Sequence, residues 1–430
     1  MRFFRTPARA GALLSLLVAA GLGASDAALA SDDDALALEP EVQAPAKPAA
    51  RPALRAYAEL TAGRLGQRYG LGREDVRRAS LDLVWDARLG SQWRAVISDR
   101  LDDMHPVDAG ERSTLNSLRE AFIGWQAADG RLAADLGRVN YRNGPAYGYN
   151  PTDYFREGSS RAVTTADPLA LRENRLGTVM LRGQWLWQGG SASLALAPKL
   201  RDRPSRESFS ADWGATNHAD RVLLAASAQP SERLGVQAFA FHERGVGAQI
   251  GASGTALLGE ATVAFAEWSG GRGAELLAAS LGPAPRIRTR QQAAIGATYT
   301  TASRLSLTAE FEYNGFALDK AGWQAALAEY GLPAMGRYLY EVQRRQDIAS
   351  RRAAMLYLTQ KDAGLKNLDL TALLRYNMLD HSRFVWAEAR YHFPRVDLAL
   401  QWQGNLGGAL TEYGAQPGRS LVQLLAAFYF

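Results

Sequence analysis

Leu305-Ser306-Leu307-Thr308-Ala309-Glu310-Phe311-Glu312-Tyr313 alternates without a break between an apolar residue and a polar or charged one. A period of two is that of an extended strand, whose successive side chains point to opposite faces. The run is longer than the average soluble strand of about 5–6 residues and close to the roughly 9–11 that a tilted strand needs to cross a bilayer. The same alternation recurs in both directions along the chain. Leu81, Leu83, Trp85, Ala87 and Leu89 alternate with Asp82, Val84, Asp86 and Arg88. Leu368, Leu370, Ala372, Leu374 and Tyr376 alternate with Asp369, Thr371, Leu373, Arg375 and Asn377, and Val396, Leu398, Leu400 and Trp402 with Asp397, Ala399, Gln401 and Gln403.

A soluble sandwich also alternates, so the pattern alone does not identify the solvent on each face. Strand length and aromatic placement do. Trp85, Trp93, Trp125, Trp185, Trp187, Tyr313, Tyr376 and Trp402 fall near strand ends, where the interfacial girdle of a membrane barrel sits. The chain after residue 30 has no apolar run long enough for a spanning helix. Cysteine is absent, which excludes disulfides, thiolate metal sites and cysteine catalysis.

The connections sharpen the topology. Short turns are expected at Gly90-Ser91, Ala128-Asp129-Gly130, Gly189-Gly190, Gln229 to Arg233, Thr301 to Ser303, Lys361 to Leu365 and Pro394-Arg395. Longer polar segments lie between them, near 65–76, 103–112, 140–173, 201–218, 269–288, 316–350 and 404–418. Short turns at one end and long loops at the other define an all-β fold: a single closed antiparallel transmembrane barrel of about 18 strands, with 16 the alternative count. The segment 244–260 blurs the count, because Gly245, Gly247, Gly251, Gly254 and Gly259 obscure its turns. In loop 316–350, Ala321 to Tyr330 is helix-like and is expected to end at Gly331 and Pro333, as a short helix capping the mouth.

The two ends of the chain suggest export. Arg2, Arg5 and Arg9 precede an apolar run from Ala10 to Gly23, and Ala28-Leu29-Ala30 offers a small-x-small cleavage pattern. Residues 1–30 are therefore expected to be a signal peptide, 31–52 a disordered Asp- and Ala/Pro-rich tail, and 53–430 the barrel. The formal net charge of +5 falls to +3 once Arg2, Arg5, Arg9 and Asp26 leave with that peptide. The basic residues are scattered, which argues against nucleic acid as a partner. At the other end, Val422, Leu424, Ala426, Phe428 and Phe430 put an apolar residue at every second position up to a final aromatic. This resembles the signal read by the outer-membrane barrel assembly machinery. It also describes a closing strand with one face toward lipid, which must pair with the first strand. The expected location is the bacterial outer membrane, in contact with its lipid, with both termini periplasmic.

Gly137-Arg138-Val139-Asn140-Tyr141 and then Asn150-Pro151-Thr152-Asp153-Tyr154-Phe155 form the most distinctive segment. A strand ending in Gly-Arg followed by a long loop with this Asn-Pro turn resembles porin-like barrels, including the alginate-export type. The likeness covers this segment, the barrel pattern and the C-terminal signal. It implies an outer-membrane channel with a loop folded into the pore and, for the export type, a strongly cationic lumen. Strand parity instead places Arg94, Arg100, Arg182, Arg375 and Arg390 inside together with Asp82, Asp86, Glu310, Glu312 and Glu388. A mixed lumen suits passage of small polar solutes. Polysaccharide export is the alternative, and a rim lipid hydrolase or a structural or receptor barrel the alternatives of other classes.

If loop 140–173 turns inward, Arg138, Arg142, Asp153, Arg156, Arg161 and Arg172 come near the constriction, where radius and charge set selectivity. No cofactor is expected. No pair among His105, His218, His242, His381 and His392 has zinc-like spacing. The Asp380-His381-Ser382 run is too local to supply the spatial arrangement of a triad.

Overall fold

The computed structural model describes residues 53–106, 112–161, 165–205, 207–282 and 286–430. The expected signal peptide and tail lie outside the described residues. Eighteen strands form one sheet in which each pairs antiparallel with its sequence neighbours. They are β1 (Leu54–Gln67), β2 (Arg73–Leu89), β3 (Trp93–His105), β4 (Thr114–Gln126), β5 (Leu132–Val139), β6 (Thr178–Trp187), β7 (Gly190–Ala197), β8 (Arg221–Ser231), β9 (Leu234–Glu243), β10 (Gly247–Leu257), β11 (Thr262–Ala274), β12 (Ile287–Thr300), β13 (Leu305–Asn314), β14 (Arg352–Gln360), β15 (Leu368–Asn377), β16 (Arg383–His392), β17 (Val396–Leu406) and β18 (Gly418–Tyr429). β18 also pairs with β1, in register from Tyr57 opposite Tyr429 to Leu65 opposite Leu421, so the sheet closes on itself. Closure leaves no unpaired sheet edge. The Phe430 amide donates to the Ala56 carbonyl at 3.0 Å, extending the seam to the last residue.

The alternation survives closure with the expected parity. On β13, Leu307 and Phe311 are exposed while Thr308, Glu310 and Glu312 are buried. On β18, Val422 and Leu424 face outward and Leu425 and Ala427 inward. The outer face is an apolar band that includes Leu83, Ile97, Leu136, Ile250, Ile295 and Leu356, all exposed. Trp93, Trp185 and Trp402 lie exposed near strand ends, as a girdle requires.

Every short turn named from the sequence connects two strands. Gly90 shows why glycine belongs there: its φ of +82° is a conformation that side-chain-bearing residues avoid. Two differences occur where strands run further than their composition suggested. β1 and β2 shorten the 65–76 loop to the residues between Gln67 and Arg73, and the glycine-rich 244–260 region is mostly strand β10. The segment after Ala321 differs more. Its helix spans Lys320–Arg345 and continues past Gly331, which takes φ +71° at a kink, and past Pro333. Proline at the start of the second half of a kinked helix costs little, because the amide it lacks would be unpaired there.

Candidate functional site

The connection between β5 and β6 leaves the wall and fills part of the lumen. Gly137, at φ +135°, sets its departure: a Cβ there would lie 2.3 Å from the Ala121 carbonyl oxygen. The loop then binds the inner wall through backbone amides. Glu310 of β13 accepts from the amides of Tyr147 (2.8 Å), Gly148 (3.2 Å) and Tyr149 (2.9 Å). Glu267 of β11 accepts from the amides of Ala146 and Thr152 and from the Thr152 hydroxyl. Arg375 of β15 donates to the Gly148 carbonyl at 3.0 Å. These hydrogen bonds satisfy backbone groups that a loop inside a barrel would otherwise leave dry.

Apolar packing supplements them. Tyr141, Tyr154 and Phe155 pack on Met180, Leu223, Phe239 and Phe241, inward residues of β6, β8 and β9. Tyr154 stacks on Phe241 with ring centroids 4.6 Å apart. Further on, Tyr147 and Leu169 pack with Met355, Tyr357, Leu373 and Trp386. A short helix, α1 (Pro168–Glu173), is capped by Asp167, which accepts from the Leu169 amide at 2.9 Å. Burial pushes the Asp167 carboxyl up to about 6.

The loop is also tied to the outer connections. A six-residue helix, α2 (Leu276–Leu281), packs against the kinked helix, α3 (Lys320–Arg345). Just beyond α3, Asp347 pairs with Arg156 at 2.8 Å, and Arg344 reaches Glu157 at 2.8 Å. Burial opposes the charge on Glu157, but Arg345 and Arg344 outweigh it and hold that carboxyl well below its ordinary value.

The residues named from the sequence divide accordingly. Arg142 is partly exposed, 3.9 Å from Glu173 of α1. Arg138, expected near the constriction, is instead sealed in the wall, donating to the carbonyls of Leu118, Ala211 and Asp212. It stands opposite Ala121 in the β4–β5 ladder, and its guanidinium lies over the Trp213 ring. Asp153 is buried inside the loop, Arg156 is mostly covered beside Asp347, and Arg172 staples the loop through the Asn143 and Gly144 carbonyls. Arg161 pairs with Asp212. Glu310 and Glu312 lie beneath the loop. Arg182 sits 3.6 Å from Asp135, and Arg390 binds Glu388 with two nitrogens at 2.8 and 3.0 Å.

Sequence reasoning missed Arg175 and Glu267 as loop anchors. It also missed the inward apolar patch on β8 and β9. That signal was present, since an aromatic on the water-facing parity of a strand calls for something to cover it.

On the inner face of β1 to β4 the charges neutralise one another, and Arg119 also donates to Asn174 at the returning end of the loop. Arg100 lies 3.0 Å from both Glu59 and Asp102 and 3.6 Å from Asp82; Arg119 meets Asp82 and Arg78 meets Glu59. Arg94 holds Asp86 through two nitrogens. The Asp380-His381-Ser382 run is arranged for structure: Ser382 donates to Asp380, while His381 Nδ1 faces the Tyr376 hydroxyl.

The architecture is that of a closed 18-stranded antiparallel barrel with an inserted loop. Among solved structures, it is similar to OpdL of Pseudomonas aeruginosa, with a TM-score of 0.51 and 11% identity over 88% of this chain and 98% of that one. It also matches a mutant Rhodopseudomonas blastica porin, with a TM-score of 0.42 and 11% identity over 88% and 99%. No family model matches the chain, and no curated protein matches it.

Proposed function

We propose that the protein is an outer-membrane channel that passes small polar solutes between its inserted loop and a charge-compensated wall. The apolar outer band supports the membrane, because so much exposed apolar surface around a closed barrel is stable only against lipid. The observation that carries the channel reading is the pairing of the wall charges: Arg78, Arg94, Arg100, Arg119, Arg182 and Arg390 each lie within 4 Å of a carboxylate. A wall whose charges are already paired holds no polyanion strongly, which disfavours alginate-type export. The short turns and both termini are assigned to the periplasm, and the β18 pattern to the assembly machinery.

Planar-bilayer recording of the purified protein tests the reading. Stepwise, ohmic conductance with weak ion selectivity is expected. A correctly folded barrel without conductance steps would overturn the channel, and strong anion selectivity would favour the export reading.

A further inference from the structure

We propose that an outward groove at the closing seam of the barrel, floored by Gly66, Gly404 and Ser420, binds the phosphorylated headgroup of an outer-leaflet saccharolipid through Arg73 and Arg419. The inference rests on the outer-membrane reading above.

Register creates the groove. Gly404 of β17 lies opposite Ser420 of β18, Ser420 opposite Gly66 of β1, and Gly66 opposite Arg73 of β2. Three small residues therefore meet in one row across three strands. They leave a cavity of about 400 Å³, walled by Trp402 and Leu406. A second cavity of about 380 Å³ adjoins it toward the loops, sharing Gln67 and Arg419.

The cations are placed by the same seam. Gly66 pairs with Ser420 but Gln67 with Gly418, so Arg419 is the unopposed residue of a bulge. Bulges re-aim side chains, and this one puts Arg419 on the cavity with Arg73. Both arginines are exposed, and among the described residues neither has a carboxylate partner. Nearby, Arg64 is matched by Asp75 at 3.0 Å, and Arg77 adds another exposed cation.

The occupant follows from charge and depth. Trp402 is exposed on the outer surface near the long-loop end of β17, with Leu400 and Leu398 further down the same face. Charged lipid headgroups occupy the level just beyond such a girdle. Two guanidinium groups suit a phosphate, and the indole offers a face to a sugar ring. A second copy of the chain seated here would bury the same cations without partners, which is costly.

The test uses the full barrel in nanodiscs, with bis-phosphorylated lipid A or phosphatidylcholine as probes and native mass spectrometry as readout. Wild type should retain lipid A and not phosphatidylcholine. Arg73→Gln with Arg419→Gln should cut retention on the order of tenfold, as losing two charge-assisted contacts implies. Ser420→Leu, which has glycine on both sides and so has room, should fill the floor and also reduce retention.

Equal retention in all variants, or equal retention of both lipids, would overturn the groove. So would a changed oligomeric state in Ser420→Leu with lipid A still held, which would assign the face to a second copy. Failure of wild type to insert into bilayers counts against the outer-membrane reading instead.

Discussion

The guanidinium of Arg175 closes on Asp153 through both terminal nitrogens, at 2.7 and 3.0 Å, and both side chains are almost wholly buried. This contact joins the middle of the inserted loop to the point where the chain returns to the wall. Breaking a buried pair from one side leaves an uncompensated charge and costs roughly 3–5 kcal/mol. Asp153→Asn should place that cost on the loop, because the strand ladder is untouched. The expected result is a heat-modifiable barrel with higher or flickering single-channel conductance. Unchanged conductance would mean that the loop is held without this pair.

Gly148 tests the loop at its deepest contact. A Cβ there would lie 2.3 Å from Glu312 Oε1 and 2.7 Å from Met355 Sδ. Gly148→Ala should push the segment off Glu310 and expose it to protease added to the folded barrel. Gly183→Ala, where a Cβ meets nothing within 4 Å, should leave the digestion pattern as it was.

Two arginines that look alike in sequence should behave differently. Arg142 is partly exposed beside Glu173, so Arg142→Glu should shift reversal potentials toward cations with folding intact. Arg156 is bound to Asp347 and to the Asn150 carbonyl. Arg156→Glu should chiefly loosen the loop, seen as altered conductance rather than a clean selectivity change. Identical electrophysiology for the two variants would contradict this assignment.

Strand parity predicts where a charge can enter. Leu356, midway along β14, is exposed on the outer face, where an arginine near the midplane costs about 2–4 kcal/mol, so Leu356→Arg should impair folding into lipid vesicles. Thr371→Arg should fold, since its inward position lies opposite Glu388. Thr308 also points inward, but it is buried and shares a 2.7 Å hydrogen bond with Thr298, so Thr308→Arg should fail despite its parity.

Glu412, in the connection between β17 and β18, is pushed up to about 7 by burial, with Asp380 adding to the effect. A carboxyl with a raised folded-state pKa imposes no penalty below its unfolded value of about 4.3; the penalty grows as pH rises from there toward 7. Hydrogen exchange around Glu412 should therefore be slowest near pH 4, after correction for intrinsic rates, and quicken toward pH 8. Glu412→Gln should flatten that profile.

Much of the barrel was legible because its determinants are local. Alternation along β13, β15 and β17, the turn chemistry at Gly90 and Gly189, and the apolar parity of β18 are set by neighbours in the chain and by the solvent each face meets. The glycine-rich stretch that became β10 was harder to read, because glycine signals a turn as readily as a strand packed close to its neighbours.

The sequence by itself determined a closed antiparallel barrel and, on strands with unbroken alternation such as β13, β15 and β17, which face is apolar. Only the tertiary structure decided which inward charges meet solvent. Glu310 and Glu312 share the inward parity of Glu388, yet the returning loop covers the first two. Arg138 and Arg142 are four residues apart, yet one seals the wall and the other remains partly exposed. The physical reason is that parity is a property of one strand, whereas coverage depends on partners distant in sequence. Glu267 and Glu310 each find their loop amides more than a hundred residues away, and nothing in either strand's own pattern encodes that meeting.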